Sequence, residues 1–344
     1  MISAAVLEHS GGPLVIRNLV SGPLLSGQVK VKMAFSGVCH SQIMEVAGLR
    51  GEDRWLPHLL GHEGTGIVDS VGPDVTKVAP GDKVVLGWIR GEGIEAEPAK
   101  YICSDNGVIV NAGRVTTFAN INIVSESRVV KVANDFDLRL GVLYGCALPT
   151  GGGMVINQSE VTEQSTVVVL GLGGIGLSAI LTLLAKGLTN IIAIDKNPEK
   201  LELVKTWGVP IALDASLETL TSDIISLTKG GCDLCIESAG TTESIELGFK
   251  LVRFGGGRIL FASHPPYGDQ IRLDPHHLIR GKRIEGSWGG EFKPDSDIAK
   301  LDCILQNHKS LLGDFYSKEY RLDEINDALA DLKKGKARRP LIVF

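Results

Sequence analysis

Two rhythms of apolar and polar residues divide the chain. Up to about residue 147, short β-like runs alternate with glycine and proline turns. Examples are Val29-Lys30-Val31-Lys32-Met33, Gly66-Ile67-Val68-Asp69-Ser70-Val71-Gly72 and Asp82-Lys83-Val84-Val85-Leu86. Gly72-Pro73-Asp74 and Ala79-Pro80-Gly81-Asp82 supply turn signals between them. This pattern predicts a small β-rich, barrel-like domain over 1–147. From about 148 the rhythm becomes strand, helix, strand. Apolar runs at 167–170, 190–195, 209–213, 233–237, 257–262 and 283–287 read as buried strands. Helical stretches such as 177–186, 198–207 and 243–252 fall between them. Alternation at this spacing predicts an α/β domain with a doubly wound parallel sheet over 148–288. The last segment, 289–344, carries a helical pattern at 323–334 and a final strand at 341–344. It is expected to return to the first domain and complete it.

Length and composition agree with two domains. The chain has 344 residues, 44% of them hydrophobic, enough to bury real cores. Thirty-five Lys and Arg stand against 40 Asp and Glu, a net charge of −5. With no basic stripe, this balance argues against a nucleic-acid partner. The N-terminus, Met1-Ile2-Ser3-Ala4-Ala5-Val6, lacks the basic segment of an export signal, so a cytoplasmic location is expected. The apolar run 167–185 is broken by glycines and reads as strand plus helix rather than a membrane span. Six cysteines in such a chain are expected as ligands or core residues, not as disulfides.

Within that run, Val167-Val168-Val169-Leu170-Gly171-Leu172-Gly173-Gly174-Ile175-Gly176 takes a buried strand into a glycine turn. Gly171, Gly173 and Gly176 give the G-x-G-x-x-G spacing of a dinucleotide-binding (Rossmann) turn. Each glycine has a reason: a tight turn, close backbone approach to a pyrophosphate, and close helix–strand packing. The following helix would aim free N–H groups, those of Gly174 and Ile175 among them, at the phosphates. Asp195 ends the next strand, about 20 residues on, where an acid holds the adenosine ribose hydroxyls. Candidate metal ligands lie in three other segments: Gly37-Val38-Cys39-His40-Ser41, Gly61-His62-Glu63-Gly64-Thr65-Gly66, and Tyr144-Gly145-Cys146 followed by Thr150-Gly151-Gly152-Gly153. Two thiolates and one imidazole leave a tetrahedral zinc ion with one open position, the layout of a catalytic site. Two thiolates also balance the metal charge, so a bound alkoxide would be the extra anion stabilised.

In order and spacing these segments and the glycine turn resemble the zinc-containing medium-chain alcohol dehydrogenases, over essentially the whole chain. Gly286-Ser287-Trp288-Gly289-Gly290-Glu291-Phe292-Lys293 also resembles a strand and turn of that family, its glutathione-dependent formaldehyde branch especially. The resemblance implies a GroES-like catalytic domain beside the Rossmann domain. It implies that Cys39, His62 and Cys146 bind the catalytic zinc, with Glu63 behind it as an occasional ligand. His40 matches a position near the coenzyme pyrophosphate, and Thr150 one behind the nicotinamide ring. Asp195 matches the ribose-binding acid, Lys200 a nearby lysine and Arg339 the late arginine on the pyrophosphate. Ser41 matches the hydroxyl that takes the alcohol proton, and Trp88 a wall of the substrate pocket.

The chain also departs from that family. The lobe that often holds a second zinc through four cysteines falls between Gly87 and Ser104, where only Cys103 is present. One zinc per chain is therefore expected. The histidine that ends the proton relay falls at Met44, so the proton is expected to leave by water or another group. An acid often found beside the relay is Gln42 here, expected to orient the zinc-bound imidazole as an acceptor. Cys232-Asp233-Leu234-Cys235 lies on an expected sheet strand and is read as a decoy rather than a redox site. The implied reaction is reversible hydride transfer between a primary or secondary alcohol and NAD, in a homodimer or homotetramer. NAD is favoured over NADP because Asp195 would repel a 2′-phosphate, although Lys196 follows it directly. Alternatives are a polyol or sugar dehydrogenase with the same zinc, a zinc-free quinone or enoyl reductase, and a non-catalytic relative.

Overall fold

A computed structural model describes every residue, 1–344, as two compact units. The first unit contains 1–146, 293–298 and 312–344. Its strands Ile2–Leu7, Leu14–Ser21, Lys100–Cys103, Ile109–Asn111 and His58–Leu59 close into a barrel. Alternation along them fills its interior with Ile2, Ala4, Val6, Leu19, Leu59, Tyr101 and Val110, all buried. A second sheet is built on Gln28–Gly37, which pairs antiparallel with Glu63–Val71, Ile121–Ser125 and the C-terminal strand Leu341–Val343. The expected alternating runs at 29–33, 66–72 and 82–86 all lie in strands of this sheet or one residue beyond their ends. The two strands that carry metal-ligand candidates at their ends, Gln28–Gly37 and Glu63–Val71, are thus neighbours in this sheet.

The second unit contains 147–292 and 299–311. Its six parallel strands run in the order Ile211–Asp214, Ile191–Asp195, Val167–Leu170, Leu234–Glu237, Arg258–Phe261, Arg283–Gly286. Numbered along the chain this order is 3-2-1-4-5-6, the doubly wound arrangement whose direction reverses beside the first strand. Helix Gly174–Ala185 packs on that strand. Its Leu177, Ala179, Ile180, Leu181 and Leu183 are all at most 1% exposed, and each large side chain stabilises the fold by roughly 1.5–3 kcal/mol relative to exposure. Helix Pro198–Thr206 starts with Pro198 behind an Asn197 side chain that accepts from the Glu199 N–H, a cap legible in sequence. Gly151 and Gly152 are not turn glycines; they lie in helix Ala147–Gly153. A Cβ on Gly151 would overlap the Ile175 carbonyl, so glycine is what lets this helix approach the next one closely. No helix is long and apolar enough to cross a membrane.

Candidate metal centre and dinucleotide turn

Three chain segments deliver side chains to one point in the first unit. Cys39 follows the strand Gln28–Gly37 and is the residue before helix His40–Val46. His62 stands just before the strand Glu63–Val71, behind Gly61 with φ +86°, where a Cβ would strike Thr117 and Phe118. Cys146 ends the turn Val142–Gly145. The ligand atoms of Cys39, His62 and Cys146 all lie within 4.8 Å of one another. His62 Nε2 is 3.3 Å from Cys146 Sγ. A hydrogen bond from Cys146 holds the Cys39 thiol well below its ordinary pKa, and Cys146, as the donor, is pushed well above its own. Two sulfurs and one imidazole nitrogen in one cluster are the donor set of a three-ligand zinc site. Ser41, in the first turn of the helix that follows Cys39, has its Oγ buried without a hydrogen-bond partner.

Glu63 does not join this cluster. Its carboxylate Oε2 is paired with the Arg339 guanidinium, in a pair whose members are 0% and 5% exposed. Oε1 has no partner. Burial pushes the Glu63 carboxyl up against the pull of Arg339. The sequence expectation gave Glu63 to the metal and Arg339 to a pyrophosphate; here the two buried charges answer each other. Glycines make the room. A Cβ on Gly37 would lie on Glu63 Oε1, and one on Gly145 would strike the Leu86 carbonyl and Glu63 Cβ. The glycines flanking the cysteine motifs thus serve the acid behind the cluster.

Helix His40–Val46 carries the remaining candidates of this region. His40 is exposed at its first position. Met44 lies on the same helix and offers no proton-carrying group. Gln42 is buried, and its side chain reaches both ligand-bearing segments. Oε1 accepts from the Cys39 N–H at 2.8 Å and Nε2 lies 2.6 Å from His62 Nδ1. The expected acceptor toward His62 is therefore a donor, because the amide oxygen is already engaged.

In the second unit the strand Val167–Leu170 runs into Gly171, whose φ of +90° only glycine adopts without strain. A Cβ on Gly176 would overlap the Gly171 carbonyl, while one on Gly173 would meet nothing within 4 Å. Two glycines close the turn and the third leaves open space before helix Gly174–Ala185, whose free N–H groups could hold a phosphate. Asp195 ends the neighbouring strand. Its carboxylate accepts from Leu172 N–H at 2.6 Å and Asn197 N–H at 2.8 Å, which fixes it beside the turn. Lys200 Nζ is 3.8 Å from that carboxylate. Thr150 is buried in helix Ala147–Gly153. On the other side of the turn, Glu237 ends Leu234–Glu237 and accepts from Ala239 N–H, Gly240 N–H and the Ser244 hydroxyl. Sequence reading missed it. The signal was an acid closing an apolar strand, the same signal that found Asp195.

Two other expectations concern single residues. The Trp88 carbonyl accepts from the Arg128 guanidinium and its N–H donates to Gly145 O at 3.4 Å, so its backbone helps fix the loop. Cys232 and Cys235 are both 0% exposed in an apolar cluster, and burial raises both thiols, Cys232 to about 12. Such thiols are inert core residues.

Comparison with known proteins adds to this geometry. The family described as "Alcohol dehydrogenase GroES-like domain" matches residues 25–134, and "Zinc-binding dehydrogenase" matches 174–307; together they match more than half of the chain. Alcohol dehydrogenase class-2 isozyme 2 of Oryctolagus cuniculus is 29% identical, over 99% of this chain and 97% of that protein. The crystal structure of benzyl alcohol dehydrogenase from Acinetobacter calcoaceticus superposes with a TM-score of 0.89 at 29% identity, covering 100% of this chain and 99% of that one. An alcohol dehydrogenase zinc-binding domain protein from Burkholderia ambifaria gives 0.90 at 26% identity, covering 100% and 98%.

Proposed function

Because the chain belongs to the zinc-containing medium-chain alcohol dehydrogenases, we propose that it is an NAD-dependent enzyme of that chemistry. It oxidises a primary or secondary alcohol to an aldehyde or ketone, reversibly. The observation that carries this reading is the meeting of Cys39, His62 and Cys146 from three distant segments. These three side chains would hold one zinc ion and leave a coordination position open. Zinc held there would act as a Lewis acid that lowers the pKa of an alcohol oxygen. Ser41 supplies the hydroxyl that accepts the alcohol proton, consistent with its buried, unpartnered Oγ. No imidazole follows it at position 44, so the proton leaves Ser41 through water or another group. Arg339 pairs with Glu63 behind the ligands, which makes the acid a partner of the guanidinium rather than a fourth ligand.

The division of labour follows the two units. We assign catalysis to the GroES-like region 1–147, completed from 289–344 except for 289–292 and 299–311, which belong to the second unit, and dinucleotide binding to 148–288. Gly171, Gly173, Gly174, Ile175 and Gly176 supply the pyrophosphate turn, and Asp195 the ribose acceptor. His40, Thr150 and Lys200 are assigned to the cofactor by family position. Asp195 favours NAD, since a 2′-phosphate beside a carboxylate is repelled. A kcat/KM higher with NADP than with NAD would overturn that assignment. A cytoplasmic homodimer or homotetramer is the proposed state, and a sedimentation mass of one chain would refute the assembly.

The central test pairs metal content with turnover. Elemental analysis of the purified protein is expected to find one zinc per chain. Cys39→Ala and Cys146→Ala are expected to lose both the ion and alcohol oxidation. Full activity in a zinc-free variant, or two tightly held ions in the wild type, would refute the reading.

A further inference from the structure

Gln42 bridges Cys39 and His62, and its two ends are not interchangeable. Oε1 lies 2.8 Å from the backbone nitrogen of Cys39, and Nε2 lies 2.6 Å from His62 Nδ1. A backbone N–H can only donate, so the atom facing it must be the amide oxygen. The atom facing His62 is then the amide NH₂, which also can only donate. His62 Nδ1 must therefore accept. A neutral imidazole that accepts at Nδ1 carries its proton on Nε2. Nε2 is the nitrogen turned toward Cys146 Sγ, 3.3 Å away. The proton thus sits on the lone pair that a metal among these three residues would take.

From this we propose that Gln42 is a positioning residue that biases His62 against metal binding and so loosens the hold on zinc. The inference rests on the zinc reading above. Zinc binding can proceed in two ways, and each loses a hydrogen bond. If the His62 proton moves to Nδ1, it faces the amide NH₂, donor against donor. If the amide turns over to accept that proton, its NH₂ faces the Cys39 N–H instead. Gln42 is 1% exposed, so solvent offers little relief. An acceptor at Nδ1 would take the hydrogen bond from that proton and make the ring a better ligand, and this is the support that the amide NH₂ withholds.

Gln42→Glu isolates this effect. Gln42 is the third residue of helix His40–Val46, and its side chain accepts from the N-terminal capping position. Glutamate serves equally well there. It has the same length, keeps the bond from Cys39 N–H and replaces the donor toward His62 by an acceptor. Zinc affinity, read by competition with a chromophoric chelator, is expected to rise by roughly 10- to 100-fold in Gln42→Glu. A second readout needs no metal. In zinc-free protein labelled with ¹⁵N-histidine, the His62 ring nitrogens are expected to show the proton on Nε2; in Gln42→Glu it moves to Nδ1. Equal and tight zinc binding in both proteins, within about twofold, overturns the proposal alone, as does a wild-type His62 protonated on Nδ1. If neither protein binds zinc better than Cys39→Ala does, the zinc reading falls and this proposal falls with it.

Discussion

Glu63 and Arg339 are separated by 276 positions, yet neither is tolerable in its place without the other. Both are buried, and removing one partner of a buried pair typically costs about 3–5 kcal/mol, because the remaining charge is left without an answer. Arg339→Met is expected to lose stability on that scale. Glu63→Gln combined with Arg339→Met should recover most of it. Denaturant midpoints for the two proteins check the claim, and an equal loss in single and double variants would sink it. Both residues were singled out in the sequence, each for a different task. Chemistry at a residue was legible there; its partner was not, since pairing depends on which strands become neighbours.

At the scale of an element, the segment from Trp88 to Pro98 shows what replaces a four-cysteine lobe. It has no regular structure and is held by carboxylates. Glu126 accepts from Thr76, Lys77 and Ile94 backbone N–H groups at 2.7, 2.8 and 2.8 Å. Glu95 is paired with Arg128 at 2.5 Å, with Arg114 at 3.0 Å and with the Ser127 hydroxyl. Burial alone would raise both acids, but the N–H donors at Glu126 and the Arg128 and Ser127 bonds at Glu95 outweigh it and hold both below the usual carboxylate range. A depressed carboxylate stabilises the fold fully above its unfolded pKa, about 4.3, and that stability is lost as pH falls through the folded value. Wild-type stability is therefore expected to decline below about pH 4.3. Glu126→Ala leaves three backbone donors unanswered, so it starts about 3 kcal/mol lower near neutrality and declines less steeply in acid. Thermal melts across that range measure both, and parallel pH profiles would overturn the assignment. The missing cysteines were plain in the sequence. The acids in their stead were not, because Glu95 and Glu126 carry no motif.

Over the whole molecule, the two apolar rhythms carried the architecture. Period-two runs became the barrel and its companion sheet, and strand–helix alternation became a parallel sheet in the order 3-2-1-4-5-6. Element ends differ from expectation by one to three residues. The strand expected at 209–213 is Ile211–Asp214, for example, and the helix expected at 243–252 is Thr242–Leu251. The family relationship reaches 99% of the chain, which is why ligand positions could be proposed from three short motifs. Local signals picked out the glycine turn and Asp195, and the family resemblance picked out the candidate ligands. A turn, a cap or a strand end is decided by neighbouring residues, so its chemistry is written locally. Tertiary structure alone decided that Arg339 answers Glu63, that Gly151 serves helix packing, and that Gln42 shows His62 its NH₂ and not its oxygen. Those outcomes turn on which atoms become neighbours in space, and a donor or a charge acquires its role only from the partner that folding brings to it.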